Sequence, residues 1–185
     1  MSAAPGRRPA VFLDRDGVLI DTYVRDGVPH PPNQLAEMEV LPGVAEALTR
    51  LRQAGFALII VTNQPDVARG TQRREVVEAM NGQLLRDLPL DGAFVCYHDN
   101  ANGCGCRKPK AGLILQAAEE HGLNLAASYM VGDRWSDVAA GAAAGCRTVL
   151  VDRPYSQVER CAPDAVVSDL PAAAELILRE VSAPR

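Results

Sequence analysis

Two aspartates flank one arginine and are followed at once by glycine in "DRDG" (14–17), at the end of a short apolar run. In "GDRWSD", Asp133 directly follows a second apolar run, and Asp137 comes one helical turn later. Between these places lie "VTNQ", where a third apolar run ends on Thr62, and "CRKPK", which carries Lys108. One aspartate after a strand is ordinarily a turn former or a helix cap. Several carboxylates gathered in one place repel each other unless a cation sits among them. A few oxygen ligands of this kind suit Mg²⁺, which keeps waters and accepts a substrate phosphate. A metal held by Asp14 and Asp133 draws in a phosphoryl group and leaves an Asp14 oxygen free to attack phosphorus, an established route to an aspartyl-phosphate. Asp16 is then placed to protonate the leaving oxygen and afterwards to activate water. Thr62 and Lys108 supply a hydrogen bond and compact positive charge to the phosphoryl oxygens. Asp137 reads equally as a partner for Lys108 or as a helix cap.

The stretch "CYHDNANGCGCRKPK" (96–110) holds a second constellation, Cys96, His98, Cys104 and Cys106, with the spacing C-x-H-x5-C-x-C. Cys₃His is a closed tetrahedral set of the structural zinc kind. A disulfide between Cys104 and Cys106 would be strained at that separation. The segment has almost no apolar content, so burial cannot order it, whereas a metal can. A catalytic zinc of the deaminase type needs an open position and a nearby glutamate, and the loop offers neither. Lys108 lies two residues beyond the last ligand, so Zn²⁺ is expected to brace the cation-bearing arm without touching substrate. Cys146 and Cys161 stand apart and read as small buried apolar residues. His30 and His121 read as surface residues, and Trp135 as packing at a helix start.

The elements that must position these residues alternate between strand-like and helical patterns. Strands are expected over 10–13, 56–62, 93–97, 128–132 and 147–151, and helices over 42–55, about 71–87, about 109–121 and about 135–144. "DAVVSDLPAAAELILREV" adds a short strand and a closing helix. "FALIIVT" is the unbroken branched run of a parallel strand buried on both faces. The pattern predicts a doubly wound α/β domain, with a mainly parallel central sheet and helices on both faces. Ligands of such a sheet bind at the carboxyl ends of its strands, where the acids, Thr62 and Lys108 all fall. The Pro- and Gly-rich stretch "RDGVPHPPNQL" (25–35) is expected to be an irregular loop capping the pocket mouth. One domain over 1–185 is expected, with its motif-bearing core at about 10–152, the zinc loop at 96–106 and no large cap domain.

Composition sets the outer bounds. With 185 residues, 48% hydrophobic and 23% charged, the chain builds one full hydrophobic core. A net charge of −4 argues against nucleic-acid or anionic-lipid partners. No apolar run approaches the roughly 18 residues of a membrane span. "MSAAPGRRPA" lacks the apolar core of a secretory signal, so a cytoplasmic protein, monomeric by default, is expected.

"FLDRDGVLID", "VTNQ", "CRKPK" and "MVGDRWSD", in this order, resemble the four motifs of the haloacid dehalogenase-like phosphatases. The resemblance runs from about residue 10 to residue 152. It implies Asp14 as nucleophile, Asp16 as acid and base, and Thr62 and Lys108 as holders of the phosphoryl group. It implies Mg²⁺ on the Asp14 side chain, the Asp16 backbone carbonyl and Asp133. The zinc loop directly before "RKP" resembles the branch that contains the D,D-heptose 1,7-bisphosphate phosphatases and the histidinol-phosphatase domains. A small phosphorylated sugar is the implied substrate, with a histidinol phosphate or another small phosphate ester as the alternative. Arg107, Asp21, Thr22, Tyr23, Asn63, Gln64 and Arg134 are the implied substrate contacts. The chain departs from that branch in reading "TNQPDVARG" for "TNQSGIARG", in lacking a histidine shortly after Asp16, and in its Pro-rich insert. Relatives on this fold that bind without catalysis lack one of the motif aspartates, and all are present here.

Overall fold

The computed structural model describes residues 7–182; the ends of the expected 1–185 domain, and most of the N-terminal stretch read for a secretion signal, lie outside the described residues. Six parallel strands form the central sheet: β1 (Ala10–Leu13), β4 (Ala57–Asn63), β5 (Gly92–Cys96), β6 (Tyr129–Gly132), β7 (Arg147–Val151) and β8 (Ala165–Val167). Their spatial order is β5-β4-β1-β6-β7-β8. The chain therefore builds outward from β1 in one direction, returns, and builds outward in the other. β1 is the point of reversal, and the crevice beyond its carboxyl end is where such sheets bind ligands.

Period-two alternation divides the core. Val11 and Leu13 pack with α1 (Val44–Gln53) and α6 (Leu170–Ser182), whereas Ala10 and Phe12 face α4 (Gly112–His121) and α5 (Trp135–Ala144). Residues 57–61 of β4 are buried without a break, as a strand covered on both faces requires. The doubly wound α/β architecture follows, with helices on both faces. Among the described residues, no helix is long and apolar enough to cross a membrane.

Three features differ from expectation. The stretch 25–35 is not wholly irregular: β2 (Tyr23–Arg25) and β3 (Val28–His30) form an antiparallel hairpin. Its two-residue turn is Asp26-Gly27, with φ of 52° and 75°, the left-handed pair such a tight turn demands. A short helix, α2 (Pro65–Ala68), precedes α3 (Arg74–Asp87), because Pro65 supplies a preset first helical residue. Cys161 is half-exposed, while Cys146 is buried as expected.

α5 lies against β6 at backbone distance. A Cβ on Gly141 would come within 2.5 Å of Met130 Cβ, closer than packed atoms tolerate. Because α5 also carries Asp137, this contact fixes part of the candidate site. Replacing Gly141 by Val should therefore cost about 1–3 kcal/mol by overpacking and displace the helix start; urea unfolding reads the first effect, and turnover falling with it the second.

Candidate active site

Asp14 is the first residue beyond β1, and its backbone N–H donates to the Val131 carbonyl at 2.9 Å, which anchors it beside β6. Asp133 directly follows β6, and Asp137 lies in the first turn of α5. One ligand oxygen from each of the three lies within 4.8 Å of the others, and all three residues are buried. Lys108 stands among them. Its ammonium donates to Asp14 Oδ1 at 2.8 Å and the Val61 carbonyl at 2.8 Å, and pairs with Asp137 Oδ1 at 2.6 Å. All three of its N–H groups are thus engaged. Asp137 does both things its position allows, since its other oxygen, Oδ2, accepts the Arg134 backbone N–H at 2.9 Å and caps α5.

The charges do not balance. Burial alone would lower the Lys108 pKa, but Asp137 and then Asp14 outweigh it and raise it, so the ammonium stays protonated. Burial, then the Asp14 and Asp137 carboxylates, push Asp133 well above the usual carboxylate range. Asp133 Oδ1 is buried with no hydrogen-bond partner. A buried orphan oxygen beside two further carboxylates fits a hard divalent cation such as Mg²⁺.

The Asp16 side chain lies outside this carboxylate group. Arg15, fully buried, donates to it from Nε to Oδ1 at 3.1 Å and from Nη2 to Oδ2 at 3.2 Å, and spends its remaining arm on Asn81 Oδ1 at 3.1 Å. Gln64 Nε2 donates to Asp16 Oδ2 at 2.7 Å and to the buried Thr62 hydroxyl at 2.9 Å. Asn63 grips Lys108 by its backbone on both sides, from Nδ2 to the Lys108 carbonyl at 3.0 Å and from the Lys108 N–H to Asn63 Oδ1 at 3.1 Å.

A cavity of about 460 Å³ opens over Asp14, Asp16 and Lys108. Asn63, Gln64, Arg107, Arg134 and Thr22 also line it. Asp21 and Tyr23 do not. They line a second cavity of about 400 Å³, which Thr22 borders as well. His30 is half-buried and lines the first cavity, its ring stacked on Tyr23 with centroids 5.4 Å apart, so it is not a plain surface residue. Trp135 lines the same cavity, with the Arg160 guanidinium 4.2 Å over its ring. His121 is exposed, edge-on to Phe94.

Cys96, His98, Cys104 and Cys106 converge as their spacing predicts. Cys96 Sγ lies 3.7 Å from Cys104 Sγ and 3.2 Å from Cys106 Sγ, and His98 Nδ1 lies 3.3 Å from Cys106 Sγ. Zinc bonds of about 2.3 Å to sulfur in a tetrahedron place two sulfurs roughly 3.8 Å apart, so the cluster is slightly tighter than a loaded site and otherwise fits one. Burial pushes the Cys96 thiol up to about 12. Burial also acts to raise Cys104, but the Arg107 backbone N–H and the neighbouring sulfurs bring it down to about 7, leaving it the readiest thiolate. Lys110 Nζ donates to the Cys104 carbonyl at 2.6 Å, and Arg107 is held by Asn100 Oδ1 at 2.8 Å and the His98 carbonyl at 3.3 Å. The loop that gathers the sulfurs therefore also orients Arg107 towards the cavity.

Sequence reasoning passed over Arg15, His30 and the segment after β7. Arg15 looks like an exposed charge between two acids. The Asp-Gly pair was a legible hairpin signal that would have turned His30 inward. After β7, Arg153 donates from Nε and Nη2 to the Gly17 carbonyl at 3.2 and 3.0 Å, a contact visible only once the strands are ordered side by side.

Comparison with known proteins agrees with this geometry. A family profile described as "HAD-hyrolase-like" matches residues 105–173. The chain is 38% identical over 177 residues to the D-glycero-beta-D-manno-heptose-1,7-bisphosphate 7-phosphatase of Escherichia coli O6:H1, covering 88% of this chain and 90% of that protein. It is 37% identical over 158 residues to the Haemophilus ducreyi enzyme of the same name, covering 79% and 84%. The crystal structure of D,D-heptose 1,7-bisphosphate phosphatase from B. bronchiseptica, complexed with magnesium and phosphate, superimposes with a TM-score of 0.78 at 32% identity, covering 93% of this chain and 99% of that one. The chain is a phosphoric monoester hydrolase, and it belongs to the haloacid dehalogenase-like phosphatases, in the branch of the heptose bisphosphate phosphatases.

Proposed function

We propose that the chain is a Mg²⁺-dependent phosphatase that removes the 7-phosphate of D-glycero-D-manno-heptose 1,7-bisphosphate through an aspartyl-phosphate on Asp14. The observation that carries the reading is the placement of Asp14. It opens onto the cavity, with Lys108 on one oxygen and the orphan Asp133 oxygen close by. Asp14, Asp133 and the Asp16 carbonyl would hold Mg²⁺, which when bound supplies positive charge for the phosphoryl oxygens.

The residues divide the work. Asp14 attacks phosphorus as the bond to the leaving oxygen breaks, and Asp16 gives that oxygen its proton. Water then attacks the phosphorus of the acyl phosphate; Asp16 takes up its proton, and inorganic phosphate leaves with Asp14 restored. Lys108 keeps charge on the transferring group, and Thr62, which accepts from Gln64, retains its own proton to donate to a phosphoryl oxygen. Gln64 and Arg15 hold Asp16 beside the cavity between these steps. Arg107 and Arg134 stand far enough round the wall to meet the rest of the substrate. The named relatives support the heptose bisphosphate as that substrate.

Zn²⁺ at Cys96, His98, Cys104 and Cys106 belongs to the same reading as a structural ion. It orders the loop that presents Arg107 and Lys108.

Asp14→Asn should abolish phosphate release from the bisphosphate, followed by a colorimetric assay, while Mg²⁺ binding survives in part. Run on the wild type with the heptose bisphosphate, histidinol phosphate and a 3′-phosphorylated oligonucleotide, the same assay should rank the first highest; selective turnover of histidinol phosphate would replace the substrate proposed here. Cys104→Ser should lower zinc content, melting temperature and turnover together. A variant that lost its zinc yet kept full turnover would refute the bracing role.

A further inference from the structure

The loop after β7 is built against the glycine of "DRDG". Ser156, buried, accepts the Arg153 backbone N–H at 2.8 Å and donates to the Val151 carbonyl at 3.2 Å, which turns the chain back over the sheet edge. Arg153 grips the Gly17 carbonyl with two nitrogens. Tyr155 is thereby carried to a point where its hydroxyl lies 3.2 Å from Thr22 Oγ1. Gly17 has φ of +82°, and a Cβ there would lie 2.2 Å from Asp133 Oδ2 and 2.7 Å from the Tyr155 hydroxyl. The carboxylate and the phenol therefore converge over bare backbone, in space that only glycine leaves open, with the phenol on the Oδ2 side. Oδ1 is buried without a partner.

We infer that Tyr155 is a positioning residue for the metal-binding carboxylate: it occupies Asp133 Oδ2, leaves Oδ1 for the ion, and ties Thr22 of the substrate loop to the same group. The inference rests on the Mg²⁺ reading of Asp14 and Asp133. Proton accounting fixes the direction of the chain. An ionised carboxylate only accepts, so the tyrosine gives Asp133 its single proton and accepts from the threonine hydroxyl in turn. Partners that orient a metal ligand in this way are worth about 10–100-fold in metal affinity or activity. Because one end of the chain is a cavity-lining residue, the arrangement also lets the substrate loop feel whether the carboxylate is correctly turned.

The test is Mg²⁺ binding by isothermal titration calorimetry without substrate, on the zinc-loaded full chain. Tyr155→Phe keeps the ring and removes only the hydroxyl. It should weaken the Mg²⁺ dissociation constant by about tenfold or more, with the metal-free melting temperature close to wild type. Thr22→Val should weaken Mg²⁺ binding less and raise KM for the sugar phosphate more. A Tyr155→Phe protein that binds Mg²⁺ as tightly as a wild type that itself binds and turns over overturns the role of Tyr155 alone. A wild type that takes up no Mg²⁺ overturns the metal reading of Asp14 and Asp133, and this inference with it. Should Tyr155→Phe fail to fold, Thr22→Val decides the matter, and unchanged Mg²⁺ affinity in it counts against the coupling.

Discussion

One lysine facing three buried carboxylates is the constraint around which this molecule is arranged. Like charges about 4 Å apart repel by about 4 kcal/mol even at an effective dielectric near 20. Lys108 is bonded to Asp14 and Asp137, so it relieves those two and leaves Asp133 facing them both. The fold tolerates this surplus because each carboxylate is fixed by backbone that serves another purpose. Asp14 is pinned to β6 through its own N–H, and Asp137 caps the helix that begins beside it. A site held apart from its lowest-energy charge state by the rest of the structure is prepared to take a cation and, through it, an anion. The same surplus supports the proposed role of Lys108, since replacing a buried ion pair by apolar groups is often neutral or stabilising.

Lys108 reaches that position from a segment that could not order itself. Residues 98–107 contribute little to either core cluster, and the side chains that secure them are polar or sulfur-bearing. Two independent anchors do the work. The sulfur cluster gathers the loop on one side, with Cys96 rooted in β5 and buried among Ile114 and Ala117. On the other side, the Asn63 amide pairs with both backbone groups of Lys108, as one strand pairs with its neighbour. The lysine is therefore registered to β4 as firmly as a residue within the sheet, although it lies in a loop. Arg107, one residue earlier, is bonded to the sulfur-bearing loop and not to the sheet. Lys108 and Arg107 are thus positioned by different supports.

How much of this was legible depends on the distance over which the signal acts. The strands, their order of use and the acids at their ends follow from local apolar runs and from the rule that binding sites gather at carboxyl ends. The sulfur cluster follows from spacing alone. Arg15 was not legible, because nothing near it in sequence says that Asn81, 66 residues away, will receive its third arm. Tyr155 was not legible either, since Thr22, just before β2, and Asp133, just after β6, come near it only once the sheet has formed around Gly17. Asp21 and Tyr23 were carried over from a resemblance in a stretch where the chain departs from that resemblance. There Asp21 and Tyr23 line the second cavity, and Thr22 lines both.

The hairpin stands apart from the strands that carry the acids. The residues proposed to act on phosphorus sit at the ends of β1, β4 and β6 and on the arm before α4. The hairpin is joined to the sheet only at its ends, and its strands pair with each other and with no other strand. It can therefore vary in length and sequence without disturbing Asp14, Lys108 or Asp133. Through it the chain places Val28, Pro29 and His30 against the cavity that Arg107 and Arg134 also line. His30 is steadied there by stacking on Tyr23, so the outward-facing tyrosine still acts on the pocket, through its neighbour and not by contact. On the proposed reading, chemistry and selection are carried by separate supports, and Thr22 joins them: it lines the cavity beside the hairpin, and its hydroxyl meets that of Tyr155.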